Sequence, residues 1–170
     1  MLSICVTGHR PHKLFGYNIH AAAYDKIRYG LKKAIYDILL AHPEEKAVTV
    51  FSGMALGVDQ IFVESMIDAR KYYRTKNVDF KIIAAIPCHN YEGHWNTMAQ
   101  KEYHKLLAAC DEKVFITDFY TPKCLNDRNE YMVNHSDIIL AVWDESTNSG
   151  TGRCVDYAKR QGKTIIRIPF

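Results

Sequence analysis

The chain has 170 residues, 48% of them hydrophobic, 24% charged and 12% aromatic. That content suits one packed domain, residues 1–170, which buries about two-thirds of its unfolded surface, and it excludes fibrous, collagen-like and disordered chains. The 22 Lys and Arg residues against 19 Asp and Glu leave a net charge of +3, too small for a protein that coats long nucleic acids but compatible with a local basic site.

The run Leu2–Val6 reads as a first strand, too short and without the basic segment ahead of it that a secretory signal carries. It opens into Thr7-Gly8-His9-Arg10-Pro11-His12-Lys13-Leu14-Phe15-Gly16-Tyr17. Glycine lets backbone approach a ligand closely, and Arg10, with Lys13 nearby, offers donors matched to phosphate or carboxylate oxygens. A solvated loop with turn glycines is the plain alternative. Ile27, Leu31, Ala34, Ile35 and Ile38 then recur at helical spacing, with Asp25, Lys26, Arg28, Lys32, Lys33 and Asp37 on the rest of the wheel, which predicts an amphipathic helix.

The second strand, Ala47–Phe51, ends in Ser52-Gly53-Met54-Ala55-Leu56-Gly57-Val58-Asp59. A helix from about 57 to 73 follows, with Val58, Ile61, Phe62, Ser65 and Ala69 on its inner face. Free N–H groups at such a turn, aligned with the positive end of the helix dipole, make an anion site. The spacing matches neither a P-loop nor a dinucleotide fingerprint. Asp59, in the first turn, either stabilises the dipole or binds a ribose hydroxyl.

Phe80–Ile86 is the third strand. Beyond it Tyr91 and Trp95 either stack on a base or pack into the fold, and Ala99, Tyr103, Leu106, Leu107 and Cys110 mark a third helix. After a fourth strand, Lys113–Ile116, a short helix near Asp127–Asn134 carries Arg128 and Asn129. Arg128 either reaches a phosphate or pairs with Glu130 or Asp144. The fifth strand, Asp137–Trp143, ends in Asp144-Glu145-Ser146-Thr147-Asn148-Ser149-Gly150-Thr151-Gly152-Arg153. Its Gly150-Thr151-Gly152 segment is built to wrap a phosphate with backbone N–H groups and the Thr151 hydroxyl. A helix over about Gly152–Gln161 and a sixth strand, Thr164–Ile168, complete the chain.

Strands alternating with helices predict an α/β, three-layer fold around a mainly parallel six-stranded sheet, with strands buried on both faces. Ligands bind such sheets outside the carboxyl ends of the strands. Cys5, Cys88, Cys110, Cys124 and Cys154 are scattered, and the eight histidines show no ligand spacing. No metal or other cofactor is therefore expected, and reduced thiols point to a cytoplasmic protein. Apolar runs such as Ile82–Cys88 fall far short of the roughly 20 residues of a membrane helix, so no membrane partner is expected. Neither a G-x-S-x-G elbow nor an H-E-x-x-H helix is present.

Thr-Gly-His-Arg-Pro after the first strand, Ser-Gly-Met-Ala-Leu-Gly-Val-Asp after the second, Asp-Arg-Asn-Glu-Tyr-Met-Val before the fifth and Ser-Gly-Thr-Gly after it form a specific combination. Over essentially the whole chain it resembles the YpsA/YoqJ-like family of bacteria and their prophages. That family is a branch of the SLOG superfamily, which joins the DNA-processing protein DprA with the LOG-type nucleotide phosphoribohydrolases. The resemblance implies a Rossmann-like sheet whose nucleotide or nucleic-acid pocket lies at the ends of strands one, two and five. A shared pocket makes those strands neighbours and gives the order 4-3-2-1-5-6.

Carried over by motif, the implied ligand contacts are Gly8, His9 and Arg10; Ser52, Gly53, Gly57 and Asp59; Arg128 and Asn129; and Gly150, Thr151 and Gly152, with Lys13 and Asp144 as further candidates beside them. The LOG motif Pro-Gly-Gly-x-Gly-Thr-x-x-Glu is not kept, because Cys154 stands three residues after Thr151 where the catalytic glutamate is expected. Asp59, Asp144 and Asp156 are the remaining carboxylates that would replace it, and none is selected. The leading expectation is binding of a nucleotide or nucleotide-derived small molecule, in a sensing or sequestering role. The alternatives are hydrolysis of a nucleoside monophosphate at its glycosidic bond and DprA-like binding of single-stranded DNA along Lys13, Arg28, Lys32 and Lys33. A homo-oligomer is compatible with the sequence, which leaves the oligomeric state open.

Overall fold

The computed structural model describes residues 1–170. Its elements in chain order are β1 (Leu2–Gly8), α1 (Asp25–Ala41), β2 (Ala47–Ser52), α2 (Val58–Arg74), β3 (Asp79–Cys88), α3 (Thr97–Ala109), β4 (Glu112–Thr117), α4 (Cys124–Asn134), β5 (Ile138–Val142), α5 (Gly150–Arg160) and β6 (Thr164–Ile168). The six strands form one sheet in the order β4-β3-β2-β1-β5-β6, as expected, and every pairing is parallel rather than most of them.

Alternation along the central strands divides their side chains between two helical layers. Ile4, Val6, Val48, Val50, Ile82, Ile86, Leu140 and Val142 join α1, α2 and α3 in a core of 31 buried residues. Cys5, Phe51, Ile83, Ala85 and Ile139 turn to the other face and meet Met132 and Val133 of α4 and Cys154 and Ala158 of α5 in a cluster of 9. The expectation of burial on both faces holds for β1, β2, β3 and β5. It fails for β4 and β6, which lie at the sheet edges with one strand neighbour each and stay partly exposed.

Two helix starts differ from the sequence reading. α4 begins at Cys124, three residues earlier than expected, and its N-cap Lys123 supplies no side-chain cap, so the local chain carries no capping signal. α5 begins at Gly150, because the Ser149 hydroxyl accepts from the Gly152 N–H at 2.9 Å and so caps the helix two residues ahead of the expected start. No helix is long and apolar enough to cross a membrane.

Sheet order positions the site. From β1 the chain winds outward through β2, β3 and β4, then returns through α4 to the other side of β1. The adjacent β1 and β5 therefore send their following connections to opposite faces, which opens a crevice above their carboxyl ends.

Candidate functional site

That crevice is a cleft of about 600 Å³. Its floor is the end of β1, Val6 to Arg10, and the first turn after it adds His12 and Lys13. Ala55 and Asp59 close one side, Pro122, Leu125, Asn126, Arg128, Asn129 and Met132 of the α4 region close another, and Asn148 to Thr151 with Arg153 form the third. Among the expected residues, the cleft brings together Gly8, His9, Arg10, Lys13, Asp59, Arg128, Asn129, Gly150 and Thr151.

The turn after β2 contributes differently from the turns after β1 and β5. Ser52 is fully buried beneath it, donating to the Asp59 carbonyl at 2.8 Å and accepting from the Met54 N–H at 3.2 Å. The Ala55 N–H donates to Asp59 Oδ2 at 3.2 Å. These amides are satisfied inside the turn, so Ser52 shapes the loop and does not line the cleft. Gly53 lies under the Arg128 guanidinium, whose Nη1 donates to the Gly53 carbonyl; a Cβ there would run into the guanidinium itself. Gly57 (φ +97°) caps α2 in a conformation that L side chains avoid, and it faces a neighbouring groove.

Arg128 pairs with neither Glu130 nor Asp144. Its Nε donates to Asn129 Oδ1 at 2.9 Å and its Nη1 stands 3.8 Å from Asp59 Oδ2. Burial pushes the Asp59 carboxyl above its usual range, while Arg128, the Ala55 N–H and then Arg10 pull it back.

At the β5 turn, the N–H groups of Gly150 and Thr151, at the start of α5, have no acceptor in the chain. They meet the cleft with the positive end of the helix dipole behind them, the arrangement that binds anions. Gly152 instead packs against the backbone oxygen of Ser146 and does not line the cleft. Asp144 also lies outside it. Its carboxylate accepts from the Ser146 N–H at 3.0 Å and stands 2.8 Å from Nε2 of the buried His9, and these contacts hold it well below the usual carboxylate range, Ser146 contributing most. Asp144 thus fixes the His9 ring rather than facing a ligand.

Arg10, Lys13, Arg128 and Arg153 line the cleft against one carboxylate, Asp59. Lys13 and Arg153 are exposed and make no ion pair, and Arg10 is held through Nη2 on the Tyr91 hydroxyl at 3.2 Å. With a single carboxylate, the cleft has no cluster suited to holding a metal. Sequence reasoning missed His12, Asn126, Asn148, Ser149 and Arg153. The Ser149 cap, followed three residues later by a helical N–H, was the signal for the last three.

Tyr91 and Trp95 pack edge to face at 5.2 Å, Trp95 also meets Tyr103 at 5.3 Å, and neither aromatic lines the cleft. The basic strip is not free either, since Arg28 pairs with Glu64 at 3.0 Å, Lys32 with Asp68 at 3.4 Å and Lys33 with Asp37 at 2.5 Å.

The family model described as the YspA SLOG family matches residues 4–169. The chain belongs to the YpsA SLOG family. Its YpsA-type relatives include the "UPF0398 protein YpsA" of Bacillus subtilis, 25% identical over 146 residues, which span 85% of this chain and 77% of that protein. The chain is also 30% identical over 129 residues, 69% of its length and 72% of the relative's, to the "Uncharacterized SPbeta prophage-derived protein YoqJ" of the same organism. The "UPF0398 protein BH1768" of Halalkalibacterium halodurans is 27% identical over 165 residues, covering 95% of this chain and 82% of that one.

Membership of the YpsA SLOG family points to nucleotide-related binding or processing. Within this YpsA fold the position of the missing glutamate is buried: Cys154 packs in the smaller core beside Cys5, beneath the cleft and not among its lining residues, and burial raises its thiol to about 11. Asp156 is on the surface, paired with Arg160 at 2.7 Å.

Proposed function

We propose that the cleft over β1 and β5 binds a nucleotide or nucleotide-derived small molecule and holds it without cleaving it. One observation carries this reading: four cationic side chains and the unpaired N–H groups of Gly150 and Thr151 converge on a cleft with one carboxylate. A phosphate placed at the start of α5 meets backbone donors and helix dipole at once, with Lys13 and Arg153 in reach from either side. The Asn148 carboxamide, the Asn126 carbonyl and the Asn129 amide, each left over from bonds within the chain, supply donors and acceptors of the kind that read a base or sugar.

Holding is favoured over hydrolysis by the carboxylate inventory. Asp59 faces Arg128, Asp144 is bound to His9 and Ser146, and Asp156 is outside the cleft. A compact ligand is favoured over single-stranded DNA because Arg28, Lys32 and Lys33 are already paired.

Isothermal titration against nucleoside mono-, di- and triphosphates, cyclic nucleotides and ADP-ribose derivatives tests the binding, with chromatography of the ligand after long incubation. The expected result is one binder recovered intact, with affinity lost in Arg10→Ala. Release of free base would replace holding by hydrolysis. Absence of any binder across the panel, with Arg10→Ala indistinguishable from wild type, would overturn the reading.

A further inference from the structure

Beside the cleft, on the α2 and α3 side, a second groove of about 620 Å³ runs between the loop at Tyr17 to His20 and the start of α3. Along it, where His20 and Glu102 line the groove, residues from three elements meet. His20 comes from the loop ahead of α1, Glu64 from α2 and Glu102 from α3, and one ligand atom of each lies within 4.8 Å of the others. His20 Nδ1 stands 3.6 Å from Glu64 Oε1, and its Nε2 stands 3.9 Å from Glu102 Oε1.

The two carboxylates are oriented alike. Glu64 turns Oε2 to Arg28, which donates to it from Nη2 at 3.0 Å and from Nε at 3.2 Å. Glu102 turns Oε2 toward Lys105 Nζ at 3.8 Å. Each outer oxygen is thus matched to a cation, leaving both Oε1 atoms facing the imidazole. Glu102 Oε1 is shut off from solvent and has no hydrogen-bond donor. A buried carboxylate oxygen without a donor is costly, and structures rarely leave one so. Facing it across less than 5 Å is a second carboxylate oxygen and an imidazole, a set that a cation satisfies together.

We propose that His20, Glu64 and Glu102 form a binding site for a divalent transition-metal ion, zinc being bound far more tightly than magnesium. One nitrogen and two carboxylate oxygens suit zinc in a site with an open fourth position, whereas magnesium prefers oxygen ligands and keeps its water. The His20 side chain is 55% exposed, so its ring is free to turn one nitrogen onto the ion. Arg28 and Lys105 then act as the outer partners that orient the carboxylates. Bound metal would tie the 18–20 loop to α2 and α3. No spacing rule finds such a site, because positions 20, 64 and 102 share no periodicity and meet only in the folded chain.

Titration of Zn²⁺ and Mg²⁺ into the chelator-stripped full chain, followed by calorimetry, together with Co²⁺ absorption, tests the site. One zinc per chain is expected, with magnesium much weaker and no intense thiolate-to-cobalt band. His20→Ala and Glu102→Gln should each weaken zinc by at least about ten-fold, while His89→Ala, an exposed histidine stacked on Phe115, leaves it unchanged. His20 lies in an exposed loop, so its variant remains folded by circular dichroism. The proposal falls if zinc does not bind at micromolar concentration, if His20→Ala binds it as wild type does, or if a thiolate band shows the cysteines to be the ligands.

Discussion

Arg128 and Asp59 face each other at 3.8 Å with their side chains only 5% and 8% exposed. The separation is too long for a hydrogen bond, and each group is held from elsewhere, Arg128 by the Gly53 carbonyl and Asp59 by the Ala55 N–H. Removing one member of a buried pair leaves the other charge uncompensated, so Arg128→Met should cost about 3–5 kcal/mol in urea denaturation at pH 7. The Asp59 carboxyl already sits above its usual range, so the folded state takes up a proton here before the unfolded chain does. The deficit of Arg128→Met should therefore shrink as pH falls through the folded value, and a deficit that stays constant would show that the charge of Asp59 is not what Arg128 offsets.

Two glycines separate packing from binding. Gly53→Ala would press a methyl group into the Arg128 guanidinium, and should destabilise by about 1–3 kcal/mol. Around Gly150 a Cβ would meet nothing within 4 Å, so Gly150→Ala should change stability by less than about 0.5 kcal/mol. Because Gly150 opens α5 at the cleft, the same variant should weaken nucleotide affinity. Equal affinity in Gly150→Ala and wild type would remove the α5 start from the ligand's surroundings.

Lys13→Ala and Arg153→Ala should each weaken nucleotide binding by about ten-fold, the loss of one charged contact. Neither residue makes an ion pair within the chain, so melting temperatures should be unchanged. Raising salt should narrow the gap between variant and wild type, since exposed charges are screened.

Ser3 donates to Asp137 twice, from its hydroxyl at 2.6 Å and from its N–H at 2.9 Å. The hydroxyl contact is the main reason that the Asp137 carboxyl lies below its usual range. In the unfolded chain the group holds its proton to higher pH, so the stabilisation is fully present above the ordinary carboxylate range near pH 4 and fades as pH falls through the folded value. Ser3→Ala should cost about 1 kcal/mol at pH 7, discounted for exposure, and less at pH 2 to 3. Denaturant melts at the two pH values measure the difference.

Strand positions were legible because β1, β2, β3 and β5 are short apolar runs flanked by glycine and polar turns. Their order followed from the family resemblance, which implies a pocket shared by the loops after strands one, two and five. Residues whose roles depend on distant partners were not legible. Nothing near Arg128 in the chain announces Gly53 or Asp59, and nothing near Asp144 announces His9. Ser52 and Gly152 carry the look of ligand-binding turns, yet one is consumed in shaping its own loop and the other in packing against Ser146. Arg153 lies in the opening turn of the last helix whichever start is taken, and only the fold shows that this turn faces the cleft.

The unequal cores on the two faces of the sheet have a consequence for motion. α1, α2 and α3 are anchored by 31 buried residues, whereas α4 and α5, which flank the cleft, rest on 9. Local opening is easiest where few apolar contacts resist it. The α4 and α5 amides should therefore exchange with solvent well before those of α1 and α2, and a bound ligand, touching both thinly anchored helices, should slow that exchange most. The sheet and its thicker layer act as a stationary platform against which one wall of the cleft can breathe.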